Sequence, residues 1–147
     1  MTAVCFYFQV HQPFRLRRYS FFDIGNSDDW FDDAENQRIL ERVAEKCYLP
    51  MNETLLSVID RMDGRFRCAF SLSGTVIEQL ERWSPVTLQL FVPLSLTRTV
   101  NFLPSPSPLS LSFLSVGQEF EPQANQQMYQ LQHLFGRLPT TFSRTEP

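Results

Sequence analysis

The chain has 147 residues, of which 43% are hydrophobic and 20% are charged, and its formal net charge at pH 7 is -3. These values are typical of one soluble globular unit. The mild acidity provides no basic surface for phosphate groups, which argues against nucleic-acid binding. No uninterrupted apolar stretch reaches the roughly 18 to 20 residues that a transmembrane helix needs, so no membrane partner is expected.

The first residues and the cysteines favour a cytoplasmic location. Met1 and Thr2 lead directly into apolar residues, without the basic residues with which a secretory signal begins. The three cysteines, Cys5, Cys47 and Cys68, are far apart in the chain. We expect them to be reduced.

The first regular element is predicted to be a strand that is covered on both faces. Residues Val4 to Val10 are almost continuously apolar and rich in aromatic and β-branched side chains, as in a parallel sheet. The strand is predicted to end at His11, Gln12 and Pro13. Residues 14–31 then show no periodicity but many aromatic and arginine side chains, which predicts a long, ordered loop.

The next elements alternate as in a parallel α/β sheet. Apolar residues at helical spacing predict one helix over residues 33–47 and another over residues 50–64. A short strand candidate, Phe66 to Ser71, follows. Ser73 is then placed to cap a third helix.

Residues 84–118 depart from this pattern, because they contain five prolines and seven serines but only one charged side chain. Pro104, Pro106 and Pro108 fall where a third strand is expected and remove every second backbone donor. We therefore expect the third strand to be disrupted. Residues 84–116 are interpreted as a degenerate segment, and a shifted reading frame is our hypothesis for its origin.

Helical spacing returns after this segment. Apolar residues form a stripe over residues 120–135, and Gly136 is placed to end the helix. Thr140 to Phe142 could begin another strand.

Polar residues directly after a strand are the first candidates for a site, because ligands meet the C-terminal ends of the strands in parallel α/β sheets. His11 and Gln12 occupy this position, although a lone histidine is often a hydrogen-bonded structural residue. Tyr19 and Trp30 could offer stacking surfaces to a sugar. The basic and aromatic loop around them could equally serve only to pack onto the fold, and both alternatives stay open.

Other kinds of site find little support in the sequence. The chain lacks a nucleophile elbow and a phosphate-binding glycine loop, and it has only two histidines, so we expect neither a serine hydrolase nor a zinc enzyme. The acidic residues of 28–33 could hold a cation. Asp32 and Asp33, however, lie where negative charge stabilises the start of a helix, and Asp32 with Glu35 resembles a capping box. We expect no metal and no cofactor.

Several blocks of the sequence resemble the α-amylase-like enzymes of glycoside hydrolase family 57. The blocks are CFYFQVHQP at 5–13, FRLRRYSFFD at 14–23, RVAEKCYLPMN at 42–52, FRCAFSLSG at 66–74, NQQM at 125–128 and LFGRLPTTF at 134–142. The similarity covers roughly residues 3–83 and 117–146. The chain departs from the family at Asn101, where the family has a glutamate in a Val-Glu-Phe-Leu strand.

The resemblance implies a fold and a reaction. The fold is α/β, the N-terminal portion of an incomplete (β/α)7 TIM-like barrel, so that residues 1–147 would be an incomplete part of a catalytic domain. The activity is that of a retaining α-amylase or 4-α-glucanotransferase, with an α-glucan or maltooligosaccharide as partner. His11 is implied to line the subsite of the sugar ring whose bond is cleaved.

The two carboxyl groups of a retaining mechanism are implied on later strands, so no catalytic residue is named and the chain alone is expected to lack activity. An open sheet edge predicts self-association. The alternative to an enzyme fragment is a non-catalytic module for glucan binding or assembly.

Overall fold

Three parallel strands form the sheet of this protein. The computed structural model describes residues 4–105, 117–136 and 139. Strand β1 (Phe6–Val10) pairs with β2 (Cys68–Ser73), and β2 pairs with β3 (Val100–Ser105), so that β2 is central. Because helices connect consecutive parallel strands, the predicted α/β class is confirmed. The sheet is consistent with part of a barrel, whereas the partial (β/α)7 barrel itself stays a prediction.

Six α-helices lie in the described part of the chain. They are α1 (Asp33–Val43), α2 (Leu49–Arg61), α3 (Gly74–Trp83), α4 (Pro85–Gln89), α5 (Phe91–Leu96) and α6 (Gly117–Phe135). A π-helical turn, Ala44–Tyr48, joins α1 to α2, so the first two predicted helices form one continuous helical segment. Pro50 lies in the first turn of α2, directly after the π-helical turn, and has no N–H group to continue the helical hydrogen bonding across this junction. None of these helices is both long and apolar enough to cross a membrane.

A row of phenylalanines crosses the middle of the sheet. Phe8 is the register partner of Phe70, which is the partner of Phe102. Their ring centroids lie 5.1 Å and 5.7 Å apart, and the Phe102 ring stacks on Phe135 of α6 at 4.3 Å. Aligned aromatic pairs stabilise neighbouring strands beyond their buried area, so this row fixes the register of all three strands.

The predicted disruption of the third strand is wrong for Val100–Ser105. This segment pairs with β2 over its whole length, with Pro104 opposite Leu72. Within the described residues β3 lies at the edge of the sheet, and an edge strand tolerates proline because some of its N–H groups need no strand partner. Pro106 and Pro108 lie outside the described residues.

The first part of the serine- and proline-rich segment packs into the core. Leu88, Phe91 and Leu94 of α4 and α5 are buried. The Phe91 ring lies 5.9 Å from the ring of Phe70 and 6.2 Å from that of Tyr48. The unusual composition therefore still supplies interior side chains. The reading-frame hypothesis for residues 84–116 stays a prediction.

Strand β1 differs from its predicted environment. Phe6 is 47% exposed, and in the strand only Val10 is buried, because β1 is an edge strand among the described residues. The prediction of cover on both faces is thus wrong for this part of the chain, while self-association through the edge stays a prediction. The strand suggested at Thr140 to Phe142 lies outside the described residues.

The three cysteines carry free thiols, as predicted. Cys5 and Cys47 are exposed, whereas Cys68 is buried in β2. Burial raises the pKa of the Cys68 thiol to about 11, which keeps this thiol protonated and unreactive near neutral pH.

Replacing Phe91 with alanine tests whether α5 belongs to the core. Phe91 is 1% exposed, so Phe91→Ala is expected to lower the free energy of unfolding by about 3–5 kcal/mol. Phe22 is 83% exposed, and Phe22→Ala is the matched control, with an expected change below about 0.5 kcal/mol. Urea unfolding followed by circular dichroism measures both. Equal effects of the two substitutions would contradict a core role for α5.

Candidate functional site

The C-terminal ends of β1 and β2 bring His11 and Ser73 together. Val10 pairs with Leu72, so His11 and Ser73, which directly follow them, lie at the same edge of the sheet. There the His11 Nδ1 atom lies 2.8 Å from the Ser73 Oγ atom. The Nε2 atom of the half-buried His11 makes no hydrogen bond within the described part of the chain.

Burial lowers the pKa of the His11 imidazole below its ordinary value of 6.5. Since the charged ring loses solvation at this position, the neutral form predominates near neutral pH. A neutral imidazole has one donor and one acceptor nitrogen. A neutral His11 can therefore either donate a hydrogen bond to a hydroxyl group or accept one from it.

Ser73 also begins helix α3, as predicted. Its Oγ atom accepts a hydrogen bond from the backbone N–H group of Val76 at 3.3 Å. The same Oγ atom also lies 3.0 Å from the hydroxyl oxygen of Thr75. The side chain that holds His11 is thus fixed by the junction between β2 and α3.

Gln12 is held by groups from three parts of the fold. Its Nε2 atom donates to the hydroxyl of Tyr48 at 3.4 Å, and its Oε1 atom accepts from the Arg15 guanidinium at 3.5 Å. Its backbone carbonyl accepts from the side-chain amide of Gln79, a buried residue of α3, at 3.0 Å. These contacts fix the position of Gln12 relative to α3 and to the π-helical turn that contains Tyr48.

Asn36 closes the base of the long loop. This α1 residue is fully buried, and its Oδ1 atom accepts from the Arg15 backbone N–H group at 2.9 Å while its Nδ2 atom donates to the Arg15 carbonyl at 3.2 Å. The side-chain amide thus pairs with the loop backbone as a strand would. Asn36 was not among the predicted site residues, because its partner Arg15 lies 21 residues away in the chain.

Backbone pairing continues from this base into the loop. Leu16 forms an antiparallel bridge with Phe31, and the Arg17 N–H group donates to the Trp30 carbonyl at 3.1 Å. The prediction of a long, ordered loop over residues 14–31 is therefore confirmed, because its two ends are joined by hydrogen bonds.

Tyr19 and Trp30 stack on each other inside this loop, with ring centroids 4.5 Å apart. The Tyr19 hydroxyl lies 2.8 Å from the carbonyl oxygen of Asp23 and 2.7 Å from that of Ser27, and the Arg17 guanidinium lies 5.5 Å from the Tyr19 ring centroid. Tyr19 thus serves the loop itself. Trp30 remains 48% exposed and keeps surface available for a ligand.

The four predicted site residues form two pairs. His11 and Gln12 follow β1, whereas Tyr19 and Trp30 lie in the loop. No hydrogen bond or ring contact joins the pairs directly in the residues that the structure describes; Arg15 connects them, because it touches Gln12 and belongs to the loop base.

The acidic residues near α1 serve the helix. Asp32 caps α1 by accepting a hydrogen bond from the Glu35 N–H group at 3.0 Å, which confirms the predicted helix start. Asp33 forms an ion pair with Arg82 of α3. Across the described ranges, no group of three or more histidine, cysteine or acidic side chains is arranged to hold a metal ion.

Comparison with known proteins gives one family and one curated relative. The model of "Glycosyl hydrolase family 57" matches residues 5–147. A protein of Methanocaldococcus jannaschii named "Putative alpha-amylase" is 31% identical over 146 residues. The aligned region is 97% of this chain but 31% of the relative, so the chain spans less than a third of that protein's length. No solved structure matches the chain.

The lowered pKa of His11 predicts a pH dependence of stability. Between the folded and unfolded pKa values the unfolded chain binds more protons, so the free energy of unfolding falls as the pH falls below about 6.5 and through the folded pKa. His11→Gln is expected to remove this contribution. The NMR titration midpoint of His11 measures the folded pKa, with His133→Gln used to assign the second histidine; a midpoint at or above 6.5 would contradict the account.

Replacing Asn36 tests the closure of the loop. Asn36→Ala leaves the Arg15 N–H group without its side-chain acceptor, so we expect a loss of about 1–3 kcal/mol and faster amide hydrogen exchange at Arg15 and Arg17. Asn26→Ala is the control, since this exposed amide also donates to a backbone carbonyl but lies at the loop tip. Unchanged exchange at Arg15 in the Asn36 variant would show that the loop base does not depend on this amide.

Proposed function

Because the chain belongs to glycosyl hydrolase family 57, we propose that the C-terminal edge of its sheet binds an α-glucan or maltooligosaccharide. The observation that carries this proposal is the placement of His11 at the end of β1, held through Nδ1 by Ser73 with Nε2 available. We propose that His11 and Gln12 bind sugar hydroxyls. Trp30 would offer an apolar ring surface, and Tyr19 would support that ring by stacking on it.

The chemistry of these groups suits a sugar. A sugar hydroxyl both donates and accepts hydrogen bonds, and a neutral imidazole and a carboxamide can each do the same. The lowered pKa of His11 supports this role, since it favours the neutral ring. The apolar faces of sugar rings can pack on an aromatic surface, which the exposed part of Trp30 provides.

For the reaction, we propose a retaining α-glucan hydrolase or transferase to which these residues contribute substrate binding. A retaining mechanism needs two carboxyl groups about 5 to 5.5 Å apart, one as nucleophile and one as acid and base. We assign neither carboxylate to residues 1–147. The proposal for the fold is that the three strands form the N-terminal portion of a (β/α)7 barrel, and that the 147-residue chain alone binds glucan without cleaving it.

A module for assembly is the second candidate function. At the loop tip, Phe21 and Phe22 expose most of their surface, and β1 is an edge strand within the described residues. Exposed aromatic rings and strand edges both favour association with another chain. The free thiols of all three cysteines support a cytoplasmic location for either function.

Titration with maltohexaose tests the proposed glucan site. We expect chemical-shift changes at His11 and Trp30, and His11→Ala is expected to weaken binding about tenfold, which is close to one strong neutral hydrogen bond. His133→Ala on α6 is the matched control and should leave the affinity unchanged. Cellohexaose, with β linkages, is the control ligand.

Three results would contradict parts of this proposal. Equal losses of maltohexaose affinity in His11→Ala and His133→Ala would show that the site does not lie at the end of β1. Equal binding of both sugars would contradict α-glucan selectivity. Release of reducing ends from maltohexaose by the purified chain would show that it cleaves glucan without further residues.

A further inference from the structure

The hydroxyl of Ser73 has more partners than a helix cap requires. It accepts from the Val76 N–H group at 3.3 Å, and it lies 2.8 Å from His11 Nδ1 and 3.0 Å from Thr75 Oγ1. A hydroxyl has one proton and two lone pairs. Val76 takes one lone pair, so one proton and one lone pair remain for His11 and Thr75.

Only two proton arrangements satisfy both remaining contacts when His11 is neutral. In the first, the His11 Nδ1–H group donates to Ser73, whose own proton goes to Thr75. In the second, Ser73 donates to a bare Nδ1 atom, and Thr75 donates to Ser73. Each arrangement assigns His11 a single tautomer, and each leaves the Nε2 atom outside the network.

We propose that Ser73 is the positioning residue for His11: its hydroxyl holds the ring by Nδ1 in one orientation, so that Nε2 is the atom that binds a sugar hydroxyl. This inference rests on the proposed glucan site. Ser73 is 5% exposed and is anchored at the junction of β2 with α3, so its hydroxyl cannot follow a rotating imidazole. The ring is therefore oriented before any sugar arrives, which lowers the entropic cost of binding.

The surroundings of the pair favour a neutral ring. The N-terminus of α3 begins at Ser73, and the positive end of a helix dipole disfavours a positive charge beside it. The hydroxyl pair of Ser73 and Thr75 can accommodate either neutral tautomer, so His11 keeps its contact with Ser73 in both.

The capping role and the positioning role can be separated by substitution. Glycine is tolerated at a helix N-cap almost as well as serine. Ser73→Gly thus removes the hydroxyl while largely keeping the helix start, and Ser73→Thr keeps a hydroxyl on the same carbon. Ser84→Gly is the matched control, because this serine also begins a helix and pairs with a threonine hydroxyl, that of Thr87.

The test is the ¹⁵N NMR signature of the His11 ring in the full chain, in which protonated and bare ring nitrogens have well-separated shifts. We expect Ser73→Thr to keep the native Nδ1 signal, because it keeps the hydroxyl partner of that atom, whereas Ser73→Gly should shift the Nδ1 signal. Ser84→Gly should match the native protein. Identical His11 signals in the native protein and in Ser73→Gly would overturn the proposal, and an equally large shift of the Nδ1 signal in Ser84→Gly would also overturn it.

A second arm adds maltohexaose. We expect the Nε2 signal of native His11 to shift on binding more than the Nδ1 signal, and the affinity of Ser73→Gly to fall about fivefold, within the range for one neutral hydrogen bond. Ser73→Thr should recover the native affinity to within about twofold. If Ser73→Gly shifts the Nδ1 signal but the sugar moves neither signal of the native protein, the contact of Ser73 stands and the proposed glucan site fails. A larger shift at Nδ1 than at Nε2 would overturn the assignment of the ligand atom.

Discussion

The parallel pairing of β1 with β2 is the constraint on which the candidate site depends. The two strands are aligned from Phe6 opposite Cys68 to Val10 opposite Leu72, and the row of phenylalanines across the sheet holds that alignment. A shift by one residue would turn every side chain of β1 to the other face. His11 would then no longer meet Ser73. The phenylalanine contacts that fix the register of β1 with β2 therefore also fix the position of His11 next to Ser73.

The loop after β1 extends this order away from the sheet. Asn36 pairs with the backbone of Arg15, and the Arg15 side chain reaches back to Gln12. Because a buried amide without partners is costly, the contact between Asn36 and the loop fixes the loop on α1. The aromatic pair in the loop is therefore held relative to the end of β1 by a chain of hydrogen bonds, although no hydrogen bond or ring contact joins the two parts directly among the described residues.

The sequence was most informative where local chemistry decides the structure. The spacing around Ser73 predicted its cap, and the apolar run before His11 predicted a strand within two residues of its bounds. The third strand was misjudged, because whether proline is tolerated depends on the place of the strand in the sheet, which only tertiary structure determines. Asn36 was missed for the same reason: its partner lies 21 residues away, and no local pattern predicts that contact.

The proposed site requires that a sugar contact the edge of the His11 ring that carries Nε2, away from Ser73. The most direct measurement is the set of intermolecular nuclear Overhauser effects between the His11 ring protons and maltohexaose bound to the 147-residue chain. We expect contacts from the sugar to the ring protons on Cδ2 and Cε1, the two carbons bonded to Nε2, with weaker contacts to the backbone around Ser73. Sugar contacts that involve only the loop tip, with none to His11, would contradict it.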